Sequence, residues 1–408
     1  MALIVQKYGG SSVGTIDRIR NVARRLIETQ QAGNRVIAVI SAMSGVTDKL
    51  IGLAHEVMEN PPESEMDVLL ATGEQQSIAL LCMAIADMGC KARSFTGAQA
   101  GICTYGSHTR GRIDSIDPRE VMAALEEGCI VVCAGFQGVT KEGRIHTLGR
   151  GGSDLSAIAM AAAVHADICQ IYTDVDGVYT CDPRVVPTAR KIPVLSYEEM
   201  LEMASSGSKV MQARSVEFAE KYDVVFEVRN SMNNNPGTIV QKENPSMESL
   251  VVRGVSIDKK QARVTVSGIT APVAYTAIIL SALSRAEINV DMIVANTAHD
   301  GKARQSFTMK MEELGKAQAA LEDVLPQLGA EARLDTEAGL SKLTVVGVGM
   351  RSHSGVAATM FQALADAGIP IGMIATSEIR ISTTVKERDI ERASQVVHAA
   401  FHLDEQSA

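Results

Sequence analysis

Arg263-Val264-Thr265-Val266-Ser267-Gly268 and Lys342-Leu343-Thr344-Val345-Val346-Gly347 follow one pattern. This repeat limits the fold of the last third of the chain more than any other signal. A loop and an amphipathic helical segment follow each copy (Val273 to Ala286; Gly355 to Ala367). A second strand comes next (Ile288 to Ala295; Ile369 to Ala375), and a shared Met-Ile at 292–293 and 373–374 fixes the alignment. A third strand (Ser306 to Met311; Ile379 to Val385) and a closing helix complete each copy. The unit is βαββαβ, ferredoxin-like, and occurs twice. A pair of small sheets with helices on one face is the expectation, a form suited to binding a small effector or to dimerising.

The first 230 residues carry a different pattern. Strand-like runs (Arg35 to Ile40, Ile130 to Ala134, Cys169 to Thr173) alternate with helical ones (Arg18 to Gln31, Ser77 to Met88, Asp154 to Val164). Such alternation predicts an α/β/α sandwich around a mostly parallel sheet, with ligands beyond the C-terminal strand ends. A polar, turn-rich break runs from Asn230 to Ser249. The expected domains are therefore 1–245, 246–337 and 338–408, with a strand from Leu250 to Val255 completing the second repeat. At 408 residues the chain is too long for one core.

The net charge of -9 and the absence of a basic stripe argue against nucleic acid as a partner. The seven cysteines, from Cys82 to Cys181, form no C-x-x-C pair and read as reduced, buried thiols. With no signal peptide discernible, the cytoplasm is the expected location. No apolar run reaches the length of a membrane span.

Four stretches carry polar residues suited to chemistry. KYGGSSVG places Lys7, Gly9 and Gly10 between a strand and a helix. It fits a phosphate cradle, and equally a plain turn, but neither the Walker nor the dinucleotide fingerprint. LGRGGSD puts Arg150, Gly151, Gly152 and Ser153 before a helix whose free N–H groups attract anions. Asp154 there serves either as a helix cap or in catalysis. IYTDVDGVY places Thr173 and Asp174 at a strand end, with Tyr179 and Arg184 following and Asp176-Gly177 as a turn. ATGEQ puts Glu74 at what reads as the opening of a helix, where it is either a dipole partner or a receiver of an ammonium group. No H-E-x-x-H or G-x-S-x-G occurs and the histidines are scattered, so phosphoryl transfer fits better than metal hydrolysis or serine chemistry.

KYGGSSVG, SAMSGVTDKL, TGEQQSIALL, TLGRGGSD, IYTDVDGVYTCDPRVV and GSKV occur in that order. Together they resemble aspartate kinases of the amino-acid kinase superfamily. The C-terminal repeats, with GVGMRSHSGVAATMF and ATSEIRIS, resemble that family's paired ACT regulatory domains. The resemblance spans nearly the whole chain. It implies ATP- and Mg2+-dependent phosphorylation of the L-aspartate β-carboxylate, the entry step to lysine, threonine and methionine. It implies that Lys7, aided by Gly9, Gly10 and Ser11, stabilises the transferring phosphoryl group, and that Asp154 organises Lys7. Ser41 and Thr47 help close the site, Glu74 takes the substrate ammonium, and Arg150, with Gly151 to Ser153, takes its α-carboxylate. Thr173, Asp174, Tyr179, Arg184 and Lys209 line the ATP pocket. No protein ligand to the metal is implied. Effector contacts fall at Ala271, Asn289, Ala295, Val356, Ile371 and Ser377.

The sequence departs from the family pattern mainly in its regulatory loops. Ile269-Thr270-Ala271-Pro272-Val273 lacks the acidic residue and the Pro-Gly usual in the first effector loop. Ala295 replaces a glutamine, Lys302 to Gln305 replaces Thr-Thr-Asp, and Pro370-Ile371 replaces Asn-Ile. In the catalytic domain Tyr105 replaces a common Asp. Feedback by lysine or threonine is thus expected to be weakened or retuned. Competing readings are a carboxylate kinase acting on glutamate or N-acetylglutamate, and an inactive ACT-bearing regulatory partner. Met247 marks either an unremarkable linker or an internal start for a shorter regulatory subunit. ACT pairing between chains predicts at least a dimer.

Overall fold

A computed structural model describes residues 1–208, 210–242, 251–270, 274–297, 302–351 and 353–405. These divide into two units. The first comprises Met1–Val178, Lys191–Ala204 and 210–242; the second comprises Tyr179–Arg190, Ser205–Ser208 and 251–405.

In chain order the first unit contains β1 (Leu3–Tyr8), α1 (Ile16–Gln31), β2 (Arg35–Ile40), α2 (Val46–Val57), α3 (Glu63–Asp87), β3 (Ala92–Phe95), β4 (Ile102–Tyr105), β5 (Arg112–Ile116), α4 (Arg119–Glu126), β6 (Ile130–Ala134), β7 (Gln137–Val139), β8 (Ile145–Thr147), α5 (Gly152–Ala163), β9 (Ile168–Thr173), β10 (Val194–Ser196), α6 (Tyr197–Ser205), α7 (Ala213–Tyr222), β11 (Phe226–Asn230) and β12 (Thr238–Gln241). Among the described residues, eight strands form the main sheet in the order β10-β12-β11-β9-β1-β2-β6-β3. All its pairings are parallel except β11 with β12. β1 is flanked by β2 on one side and β9 on the other. The chain thus leaves β1 in one direction and returns to its other edge later, the switch point at which α/β sheets open a crevice. The strand bodies of β2 and β6 are buried runs, as parallel central strands require.

Two elements differ from the expected limits, and both differences bear on the site. α3 begins at Glu63, after Pro62, so Glu74 lies in the helix interior and has no helix N-terminus to serve. Gly73 is tolerated there because a side chain at that point would stand 2.9 Å from Ala42 Cβ. α3 is also long and apolar enough by composition to cross a membrane. It is a core helix, packed on α1 and β6 and burying both Asp67 and Glu74. α5 starts at Gly152 with Gly151 as its left-handed N-cap and no side-chain cap, so Asp154 lies in the first turn and does not cap it.

The second unit contains β13 (Gly254–Ile269), α8 (Tyr275–Arg285), β14 (Ile293–Thr297), β15 (Ala303–Lys310), α9 (Leu314–Glu322), α10 (Leu325–Leu328), β16 (Arg333–Val346), α11 (Val356–Asp366), β17 (Ile374–Thr376), β18 (Arg380–Lys386) and α12 (Ile390–Ala400). The two repeats do not form separate sheets. Among the described residues their strands make one sheet in the order β14-β15-β13-β16-β18-β17. β13 and β16 are long enough to be shared: Arg263–Ser267 pairs with Arg333–Glu337, while Gly254–Asp258 pairs with Lys342–Val346. Each repeat therefore supplies a strand to its neighbour. One core gathers Val264, Leu283, Phe307 and Leu321; the other gathers Val255, Leu343, Met360 and Val397.

The Tyr179–Arg190 segment belongs to this second core. Cys181 and Val186 are buried in it. Val255 N donates to Thr180 O at 2.7 Å, Thr180 Oγ1 meets His398 Nε2 at 2.9 Å, and Arg190 Nε donates to Leu403 O at 3.0 Å.

Candidate active site

The loops after β1 and β2, the interior of α3 and the start of α5 enclose a cavity of about 340 Å³. Lys7, Gly10, Ser41, Thr47, Glu74 and the whole run Arg150 to Asp154 line it. Ala42 to Gly45, Asp48, Phe136 and Gly149 line it as well and were not singled out from the sequence. The signal was available in part, since Ala42 to Asp48 lie within the SAMSGVTDKL motif.

Lys7 is buried on β1, an interior strand of the main sheet, and it lines the cavity. Its Nζ lies 2.6 Å from Asp154 Oδ1, an ion pair made across the parallel sheet edge to the first turn of α5. The chain then turns sharply. A Cβ on Gly10 would stand 2.9 Å from the Ala42 carbonyl oxygen, so the β1 and β2 loops can lie together only with glycine there. Gly9 N donates to Tyr172 O at 3.2 Å, and Ser41 N donates to Tyr8 O at 3.1 Å, which ties both loops to neighbouring strands. Ser11 lies second in the 3-10 turn that Gly10 opens, and its carbonyl accepts from Arg18 Nη1 at 2.6 Å. Neither Gly9 nor Ser11 lines the cavity wall.

Glu74 is 4% exposed. Its Oε1 accepts a hydrogen bond from Ala42 N at 3.0 Å, while Oε2 is buried and has no partner among the described residues. Burial pushes its carboxyl up to about 7, against the opposing pull of the Ala42 N–H. A carboxylate in that state is poised to accept a cation. Arg150 is exposed on the cavity rim and adds a guanidinium, while Gly151, in the left-handed region (φ 75°), is the N-cap of α5. The N–H groups of the first turn of α5 and the helix dipole add positive character beside Lys7. A cavity with one buried acid, two cations and a helix N-terminus suits a zwitterion carrying an additional anionic group.

The other expected nucleotide residues lie elsewhere. Thr173 and Asp174 stand at the end of β9, joined by a 3.1 Å hydrogen bond from Thr173 Oγ1 to Asp174 Oδ1, and do not line the cavity. Asp176 is more than a turn residue: its Oδ1 accepts from Asn230 Nδ2 at 2.6 Å and Asn233 Nδ2 at 2.9 Å. Tyr179 and Arg184 fall in the second unit, where Arg184 forms a two-point pair with Asp182. Lys209 lies outside the described residues.

The expected effector positions separate into two groups. Asn289 and Ala295 are exposed at and beside β14, while Ile371 and Ser377 are exposed around β17, at the opposite edge of the sheet. Val356 is buried at the start of α11. Within one chain the structure does not bring these two groups together. Ala271 and Met247 lie outside the described residues.

Residues 2–230 match the model of the amino acid kinase family, and residues 343–401 match an ACT domain. The chain is 50% identical to an aspartate kinase of Pseudomonas putida over 408 residues, covering 99% of this chain and 98% of that one. It is 48% identical to an aspartokinase of Geobacillus stearothermophilus, covering 100% and 99%. Its fold matches the structure of E. coli aspartokinase III in complex with aspartate and ADP, with a TM-score of 0.81, 25% identity, and coverage of 98% and 99%.

Proposed function

The chain belongs to the amino acid kinase family, among its aspartate kinases, and from that premise we infer that it transfers the γ-phosphoryl group of ATP to the β-carboxylate of L-aspartate. The product, 4-phospho-L-aspartate, leads towards lysine, threonine and methionine. The observation that carries the assignment of residues is the unpartnered, buried Glu74 Oε2 in the wall of a cavity that also holds Arg150 and Lys7. Glu74 receives the substrate ammonium and Arg150 its α-carboxylate. These two contacts fix the amino acid so that its side-chain carboxylate faces Lys7 and the start of α5. Lys7 and the α5 N–H groups then stabilise charge on the transferring phosphoryl group, and Asp154 holds Lys7 in place. Ser41 and Thr47 close the amino-acid end. Thr173 and Asp174, at the end of β9, are assigned to the ATP side of the site. Mg2+ would ride on the nucleotide phosphates and partly neutralise them, with no protein ligand assigned to it.

An assay of acyl phosphate trapped as hydroxamate, run in parallel with aspartate, glutamate and N-acetylglutamate, tests this reading. Product from aspartate alone supports it. Product from glutamate or N-acetylglutamate in its place would assign a different carboxylate kinase, and none from any of the three would leave a regulatory partner.

The ACT repeats are read as the effector-binding and self-association part of the molecule. Ile293 and Val294 on β14, and Ile371 and Ile374 at β17, are exposed at the two edges of the sheet. Exposed apolar side chains on edge strands favour pairing with a second copy.

A further inference from the structure

A second cluster lies outside the cavity lining. Asp67 on α3 is fully buried. Its Oδ1 accepts from Thr109 N and Thr147 N, each at 3.0 Å, and from Thr147 Oγ1 at 2.6 Å. Its Oδ2 faces His108 Nδ1 at 2.7 Å. His146, on β8, packs edge-on against His108, with ring centroids 4.6 Å apart. The scattered histidines of the sequence are thus not all scattered in the fold. One carboxylate oxygen and one nitrogen from each imidazole all lie within 4.8 Å of one another.

A simple Asp–His hydrogen bond accounts for His108 but not for His146. That residue is 4% exposed, and its Nδ1 is buried without a partner among the described residues. A buried imidazole nitrogen left unpaired is costly unless something else satisfies it. A second histidine and an acid already meet beside it. His108 is about one-third exposed on its side chain, which leaves a way in from solvent.

We propose that Asp67, His108 and His146 form a binding site for a divalent transition ion of the zinc type. Two imidazoles and one carboxylate are the donor set such ions take, with a fourth position open to water. Binding draws the three donors inward to coordination distance, and His108 exchanges its hydrogen bond to Asp67 for the shared ion. Asp67 keeps the Thr147 and Thr109 contacts on its other oxygen, so they orient the ligand. Because Thr147 leads directly into Leu148 to Asp154, a bound ion braces the strand that feeds the α5 loop.

The full-length protein, stripped with a chelator and dialysed without nucleotide, is titrated with Zn2+. Bound metal is counted by elemental analysis, and Co2+ is used as a spectroscopic substitute. The wild type is expected to retain one equivalent, to show the visible absorption of a low-coordinate Co2+ site with nitrogen ligands, and to gain thermal stability on binding. His146→Ala, which leaves the Asp67 hydrogen bonds in place, should weaken binding by at least about tenfold and abolish the Co2+ spectrum. His108→Ala should do the same. Failure of the wild type to retain the ion would overturn the proposal. So would retention unchanged in His146→Ala, because the ion would then sit on other groups such as the cysteines.

Discussion

Glu74 uses one carboxylate oxygen to hold Ala42 N and keeps the other buried and, among the described residues, unpaired. Ala42 lies in the loop after β2, so the same side chain shapes that loop and offers charge to a ligand. Burial holds the Glu74 carboxyl near 7, and an ammonium group favours its ionised form. Below that pH, binding aspartate must expel a proton. The KM for aspartate should therefore rise about tenfold from pH 8 to pH 6. Glu74→Gln should raise KM throughout and flatten the profile. The free protein shows the matching linkage. A carboxyl raised in the folded state contributes stability that is fully present below its unfolded value of 4.5 and is lost as pH rises through about 7. Thermal melts of the wild type should show that decline, and Glu74→Gln should lack it.

Gly151 is predicted to be irreplaceable for two reasons that can be separated. It has φ of 75°, and a Cβ there would stand 2.0 Å from Gln212 Cγ. Gly33 has a similar φ of 88° but open space around it. Gly33→Ala should cost about 1–2 kcal/mol from backbone strain alone. Gly151→Ala should cost more and should also lower kcat by displacing the start of α5. Equal losses in the two variants, measured by denaturant melts, would contradict the packing argument.

Regulation is expected to be weak. The departures at Ala295, Pro370 and the Ala271 loop remove polar groups at or beside the positions where the family resemblance places effectors. Initial rates with lysine and threonine, each alone and then both together, should fall little at millimolar levels. Strong inhibition at sub-millimolar levels would show that other residues have taken over the contacts.

Much of the site is legible in the sequence because its motifs are local. Lys7 with its glycines and Arg150 to Asp154 are each one short run of sequence, and the fold needs only to bring the end of β1 and the start of α5 together. What is illegible depends on long-range packing. Thr72 and Gly73 read as a helix opening, yet Gly73 serves contact with Ala42 inside a helix that starts at Glu63. From its position alone Asp154 reads either as a cap or as a catalytic group, and only the fold shows no cap and an ion pair with a lysine on a strand distant in sequence. The shared sheet of the repeats follows from the register of β13 on β16, which no spacing rule reveals. Cys181 and Val186 lie in a turn-rich stretch, and only the structure shows them in the second unit's core. Asp67, His108 and His146 come from three elements without any common motif.

The central claim is that Lys7, held by Asp154, stabilises the transferring phosphoryl group. Its most direct test is aspartyl hydroxamate formation by Lys7→Ala at saturating ATP and aspartate, with circular dichroism confirming the fold. The expected result is a loss of at least about a hundredfold in kcat with unchanged secondary structure. Turnover near that of the wild type would contradict it.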